Sequence, residues 1–80
     1  MNATPLQLTS LIAEVIDVDP ALISDDTARA VVDAWDSLAQ LGVIAALEET
    51  YGVTLSTADM QACESIASIR EVLQRHGVQA

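Results

Sequence analysis

The chain has 80 residues, enough for one small domain spanning 1–80, because a chain of this size buries only about 60% of its unfolded-state surface and cannot divide that between two cores. Apolar residues make up 51% of it with no Phe, one Trp and one Tyr, so the core must come from Leu, Ile, Val and Ala, a mixture that favours helix packed on helix over sheet. Twelve acidic residues stand against three arginines and no lysine, a net charge of -9, which excludes nucleic acid and anionic membrane surfaces: Arg29, Arg70 and Arg75 are too few and too scattered to displace counterions from a phosphate array.

From Pro5 to Asp17, apolar residues at Leu8, Leu11, Ile12, Val15 and Ile16 follow the i, i+3, i+4, i+7, i+8 spacing of a helix with one buried stripe. Thr4 is placed to cap it, Pro5 loses no useful N–H at the first position, and Gln7 completes a capping-box pattern with Thr4. The next stretch, Val18 to Asp36, holds a proline, many short polar residues and no sustained period, which predicts a long loop with one short turn. Val18, Leu22, Ile23, Val31 and Val32 are expected to pin that loop to the helices while its aspartates face water.

Helical periodicity resumes at Ser37, with Leu38, Leu41, Ile44, Leu47 and Tyr51 on one side and Gly52 supplying a left-handed C-cap. Val53 to Ser56 is a connector and Thr57 to Ala62 a short helical turn. Ser65 is placed to N-cap a last helix through His76, whose stripe is Ile66, Ile69, Val72 and Leu73 and which Gly77 stops. Three longer helices, one short helix and a long first loop describe an all-α small four-helix bundle, with the loop crossing the bundle's length.

Chemistry-bearing residues are sparse. His76 sits beside the terminal Gly77 and no nucleophile has an evident base partner, so a hydrolase triad has no support and no enzyme is expected. Asp17 to Ala28 begins like a calcium loop, with Asp17 and Asp19. It has Leu22 where the turn needs Gly and Ala28 where a bidentate Glu is required, so no metal site is expected. Cys63, the single cysteine, can form no intramolecular disulfide and is read as a small buried hydrophobe. With no basic start, no signal-like apolar run and no apolar stretch near ~20 residues, the expected location is the cytoplasm.

The stretch "WDSL", Trp35 to Leu38, is the exception. Asp36 can cap the central helix and leave Ser37 at its first position with the hydroxyl turned outward. First-turn N–H groups and the positive end of the helix dipole favour a phosphate there, so a serine at this place could carry a phosphodiester without strain. Trp35 is open to two readings, an anchor for a partner or a ring packed against its own helices.

"DVDPALISDDT", then "DSL", then "LGVIAALEETYGV", with Ser65 and Ile66 opening the last helix, resemble the acyl carrier protein family from about Leu6 to Gly77. The resemblance implies that Ser37 is esterified by 4′-phosphopantetheine, delivered from coenzyme A by a phosphopantetheinyl transferase, and that the arm's thiol holds an acyl or aminoacyl group as a thioester. It implies that Asp36 and Leu38 flank the arm. Partners, namely a loading ligase and downstream acyl-processing enzymes with basic docking patches, would read a monomeric carrier around Trp35, Asp33, Ala39, Gly42, Glu48 and Glu49. A cleft between the second and third helices, lined by Ala45, Leu47 and Met60, would shelter apolar cargo.

Carriers of bacterial fatty acid synthesis usually show acids two and five positions after the serine, where this chain has Ala39 and Gly42. That departure, with Trp35 before the motif, points to a dedicated carrier of a specialised biosynthetic route. An aminoacyl or peptidyl carrier and an unmodified helical docking module are the alternatives.

Overall fold

The structure is a computed structural model, and residues 5–80 are the ones it describes; the proposed Thr4 cap lies outside them. The elements in order are α1 (Pro5–Val15), 3-10 turns at Pro20–Leu22 and Arg29–Val31, α2 (Ser37–Tyr51), α3 (Thr57–Ala62) and α4 (Ile66–Arg75).

α1 buries Leu8, Ile12 and Ala13, and Ile16 just past its end is buried with them, while Leu11 and Val15 pack at the edge of the core. It ends two residues before the predicted Asp17, because Asp17 turns left-handed (φ 59). Val18 then donates to the Ala13 carbonyl (2.9 Å) and Asp17 to that of Glu14 (3.3 Å), the paired bonds of a Schellman ending without its usual glycine. α4 closes the same way with the glycine present: Gly77 (φ 80) donates to Gln74 and Val78 to Leu73. The predicted α4 stripe, Ile66, Ile69, Val72 and Leu73, is wholly buried. α3 spans the predicted residues, opened by a reciprocal Ser56–Asp59 capping box.

α2 departs from its predicted orientation. Its buried residues are Val43, Ile44 and Leu47, while Leu38 and Leu41 are 77% and 68% exposed. The cause is that α2 is apolar almost all the way round, so two stripes fit its spacing. The one through Gln40, Val43, Ile44 and Leu47 faces the core. Gly42 has its own packing reason: a Cβ there would stand 3.2 Å from Val15 Cγ1, so the bare backbone lets α1 and α2 approach closely. The predicted left-handed cap at Gly52 is present (φ 66).

The first loop holds two 3-10 turns where one was predicted, and it is bound to the α3–α4 junction. Ile66 donates to the Thr27 carbonyl (3.3 Å), Ala67 to that of Asp25 (3.0 Å), and Ser68 to Ser65 Oγ (3.1 Å). Of these three first-turn donors of α4, which a helix leaves unsatisfied, two are met by carbonyls of the distant first loop and one by the Ser65 cap. Arg29 donates its backbone N–H to the Glu64 carbonyl (2.7 Å), and the Asp25 carboxylate takes two bonds from Arg70, at 3.0 and 2.9 Å. Of the expected pins, Ile23 is buried and Val18 and Val32 are partly buried, but Leu22 and Val31 are 76% and 78% exposed. Ile23 and Val32 are extended residues closing the two turns, so turning their side chains inward sends the preceding ones out.

No helix among the described residues is long and apolar enough to cross a membrane.

Candidate functional site

The site is built where the loop meets α2. Asp36 is extended (φ -83, ψ -173) and its Oδ1 accepts from the Ala39 N–H at 2.8 Å, while its carbonyl accepts from Gln40 N–H at 2.9 Å. This is the N-cap expected from the sequence. Ser37 is therefore the first helical residue, and it is exposed.

Behind it, Trp35 holds the junction in place. Its ring is 2% exposed and its Nε1–H donates to Gln40 Oε1 at 2.6 Å; Gln40 Nε2 in turn donates to the Cys63 carbonyl at 2.9 Å. Of the two readings left open for Trp35, packing holds, and the ring offers no surface for a partner to grip. An indole needs a partner for its N–H when buried, and Gln40 supplies it across one turn of α2. The bonds fasten the start of α2 to the α3–α4 junction.

The nearest cation to the hydroxyl was not among the expected site residues. Arg29, half-buried on the second 3-10 turn, reaches across so that its Nη2 donates to Ser37 Oγ at 3.4 Å. A guanidinium cannot accept a proton, so this contact does not make the serine a nucleophile. Arg29 also borders a shallow groove with Val32, Asp33, Trp35, Asp36 and Glu64. A lone arginine among aspartates is the one signal for it, but nothing in local spacing aims it at a serine eight residues on.

The remaining candidates are distributed as follows. Leu38 is largely exposed on the residue after Ser37, with Leu41 one turn further on the same face. Asp33 and Glu49 are exposed, and Ala39 is half-buried against the core. Glu48 has an internal task, since its Oε2 accepts from the Leu55 N–H at 2.9 Å and ties the α2–α3 connector to α2. Ala45, Leu47 and Met60 do not converge on a cleft: Leu47 is wholly buried, Ala45 faces solvent and Met60 is 37% exposed. Two positions apart on a helix are separated by about 200°, so Ala45 and Leu47 cannot line one wall.

Cys63 is buried, its Sγ–H donates to the Asp59 carbonyl (3.2 Å), and burial with the nearby Asp59 charge pushes its thiol up to about 11. It is not a reactive thiol at neutral pH. His76 is engaged with Asp59 at 2.9 Å, and that bond lowers the Asp59 carboxyl below its ordinary range.

These residues suit 4′-phosphopantetheine: an exposed hydroxyl on the first turn of a fifteen-residue helix, a fixed backbone around it, and a guanidinium whose Nη2 reaches that hydroxyl. Comparison with known proteins agrees. Residues 7–73 match the phosphopantetheine attachment site family. Polyketide-8 synthase acyl carrier protein 2 of Streptomyces avermitilis is 36% identical over 67 residues, covering 84% of this chain and 77% of that protein. The solution structure of a holo acyl carrier protein from Geobacter metallireducens superposes with a TM-score of 0.77 at 25% identity, covering 90% of this chain and 83% of that one.

A helical bundle of this topology, matched over most of its length, defines a phosphopantetheine carrier domain. The chain belongs to the acyl carrier protein family. Members are carriers and not enzymes: they bear covalent 4′-phosphopantetheine, are modified by a phosphopantetheinyl transferase and serve biosynthetic enzymes.

Proposed function

We propose that Ser37 is the residue that bears the phosphopantetheine and that the chain carries acyl units through a specialised biosynthetic route. The observation that supports this most is the position of the Ser37 hydroxyl, exposed on the first residue of α2 immediately after the Asp36 cap. When bound, the group supplies a thiol on a long flexible arm for acyl cargo. The chain's own residues do the rest. Asp36 sets where α2 begins, Trp35 and Gln40 hold that start against the α3–α4 junction, and the first loop is bonded to the same junction, so the attachment point is rigid while the arm is not. A rigid root with a tethered cargo turns diffusive encounters into local ones.

The specialised route is supported by the likeness to a polyketide synthase carrier and by Ala39 and Gly42 where acids are usual. Partner enzymes, a loading enzyme among them, would meet Leu38 and Leu41 as apolar contacts next to Ser37, with Asp33 and Glu49 as exposed charges for a basic patch. Trp35 leaves the list of contacts, since packing accounts for it, whereas Gly42 is exposed and stays on it. Incubation with coenzyme A and a broad-specificity phosphopantetheinyl transferase, followed by intact-mass measurement, tests the assignment. One phosphopantetheine is expected on the wild type and none on Ser37→Ala; equal addition to both would refute it.

A further inference from the structure

Of the groups around the attachment point, Arg29 is the one whose placement the preceding functions leave unexplained. It is a single cation in an acidic setting: Asp33, Asp36 and Glu64 border the same groove. Yet among the described residues Arg29 forms no ion pair; the pairs present are Arg70–Asp25 and His76–Asp59. Asp36, the nearest carboxylate in the chain to Ser37, is turned toward the Ala39 N–H instead. The guanidinium has one long bond, Nη2 to Ser37 Oγ at 3.4 Å, and its Nε is buried with no hydrogen-bond partner.

Nε is shut away from solvent, so it is the Nη2 end, beside exposed Ser37, that a group on that hydroxyl can reach. The backbone makes the placement reproducible. Arg29 begins the second 3-10 turn, its N–H is fixed to the Glu64 carbonyl at 2.7 Å, and its neighbour Ala28 pairs with Ser65. What the loop holds in front of Ser37 is the Nη end of a guanidinium with no ion-pair partner among the described residues. That arrangement recognises a phosphate better than a hydroxyl, because charge-assisted bonds to phosphate oxygens are shorter and about twice as strong as neutral ones. A phosphodiester on Ser37 would also be repelled by the surrounding carboxylates, and the guanidinium is the group placed to offset them.

We propose that Arg29 is a positioning residue for the phosphodiester on Ser37, donating from its guanidinium to the phosphate oxygens and so fixing the direction in which the arm leaves α2. This rests on Ser37 being the attachment residue. It adds that the root of the arm is oriented by this chain itself, through a residue on the first loop, before any partner engages.

The test uses 15N-labelled wild-type chain in the apo and holo forms, with loading verified by intact mass. The expected result is that Arg29 guanidinium resonances shift on loading and that exchange of its Nη protons with water slows by roughly fivefold or more, the equivalent of about 1 kcal/mol. Arg75 serves as the internal control. In the holo form, the 31P resonance of Arg29→Gln should differ from wild type, and Arg29→Lys should fall between them because it restores charge without the fork. The apo-to-holo comparison needs no variant, so it stands even if a substitution unfolds the loop. Full loading with unmoved Arg29 resonances, or a 31P signal equal in wild type and Arg29→Gln, would overturn the positioning role alone. A chain that gains no mass would overturn the Ser37 assignment and this inference with it.

Discussion

Trp35 is the largest buried side chain, and its position fixes how the neighbouring serine is presented. The ring fills the core below the loop while its N–H binds Gln40, so Trp35→Phe removes the donor and leaves the Gln40 oxygen without that bond in a part-buried place. We expect a loss on the order of 1–3 kcal/mol in urea unfolding, with phosphopantetheine loading retained. Unchanged stability together with impaired partner binding would instead mark Trp35 as a recognition residue. At this scale the sequence carried Ser37 and its Asp36 cap, because a cap is a three-residue pattern. It did not carry Gln40 or Arg29, whose partners lie five and eight residues away and are chosen by how the loop folds back.

Among the elements, α1 and α4 were legible because each has one apolar stripe, with Ser65 marking the start of α4, while the Ser56–Asp59 box that opens α3 came to light only in the structure. α2 was legible in extent and misjudged in rotation. Leucine at 38 and 41 and alanines elsewhere give it an apolar surface on both sides, and only tertiary contact selects the one through Val43, Ile44 and Leu47. The two faces separate experimentally. Leu47→Ala should cost about 2–5 kcal/mol, as for any wholly buried leucine, whereas Leu41→Ala should stay within about 0.5 kcal/mol of wild type. Comparable losses at the two positions in denaturant titrations would show that α2 is turned the other way. The first loop hid its structure for a different reason: its carbonyls cap α4, a service between segments that no local periodicity records.

For the whole molecule, charge is the governing term. A net charge of -9 with three arginines means the fold works against its own repulsion, and Arg70 offsets part of it by clasping Asp25 between the loop and α4. The hydrogen bonds from Arg70 hold the Asp25 carboxyl below its ordinary 3.8, so the folded state binds fewer protons there than the unfolded chain. The resulting stability is present above about pH 3.8 and is lost as pH falls through the lower folded value. Asp25→Asn should therefore melt below wild type at pH 6, with the gap closing as the pH drops under 3.8. A gap that persists or widens in acid would show that the carboxylate charge is not what binds the loop. Asp59, held low by His76, follows the same sign.

These scales meet at Ser37, where a capped helix, a packed indole and a loop-borne arginine present one exposed hydroxyl. Intact-mass analysis after reaction with coenzyme A and a phosphopantetheinyl transferase tests that convergence most directly. The account predicts a single phosphopantetheine on the wild-type chain and none on Ser37→Ala; an unmodified wild type, or a variant that gains the same mass, would contradict it.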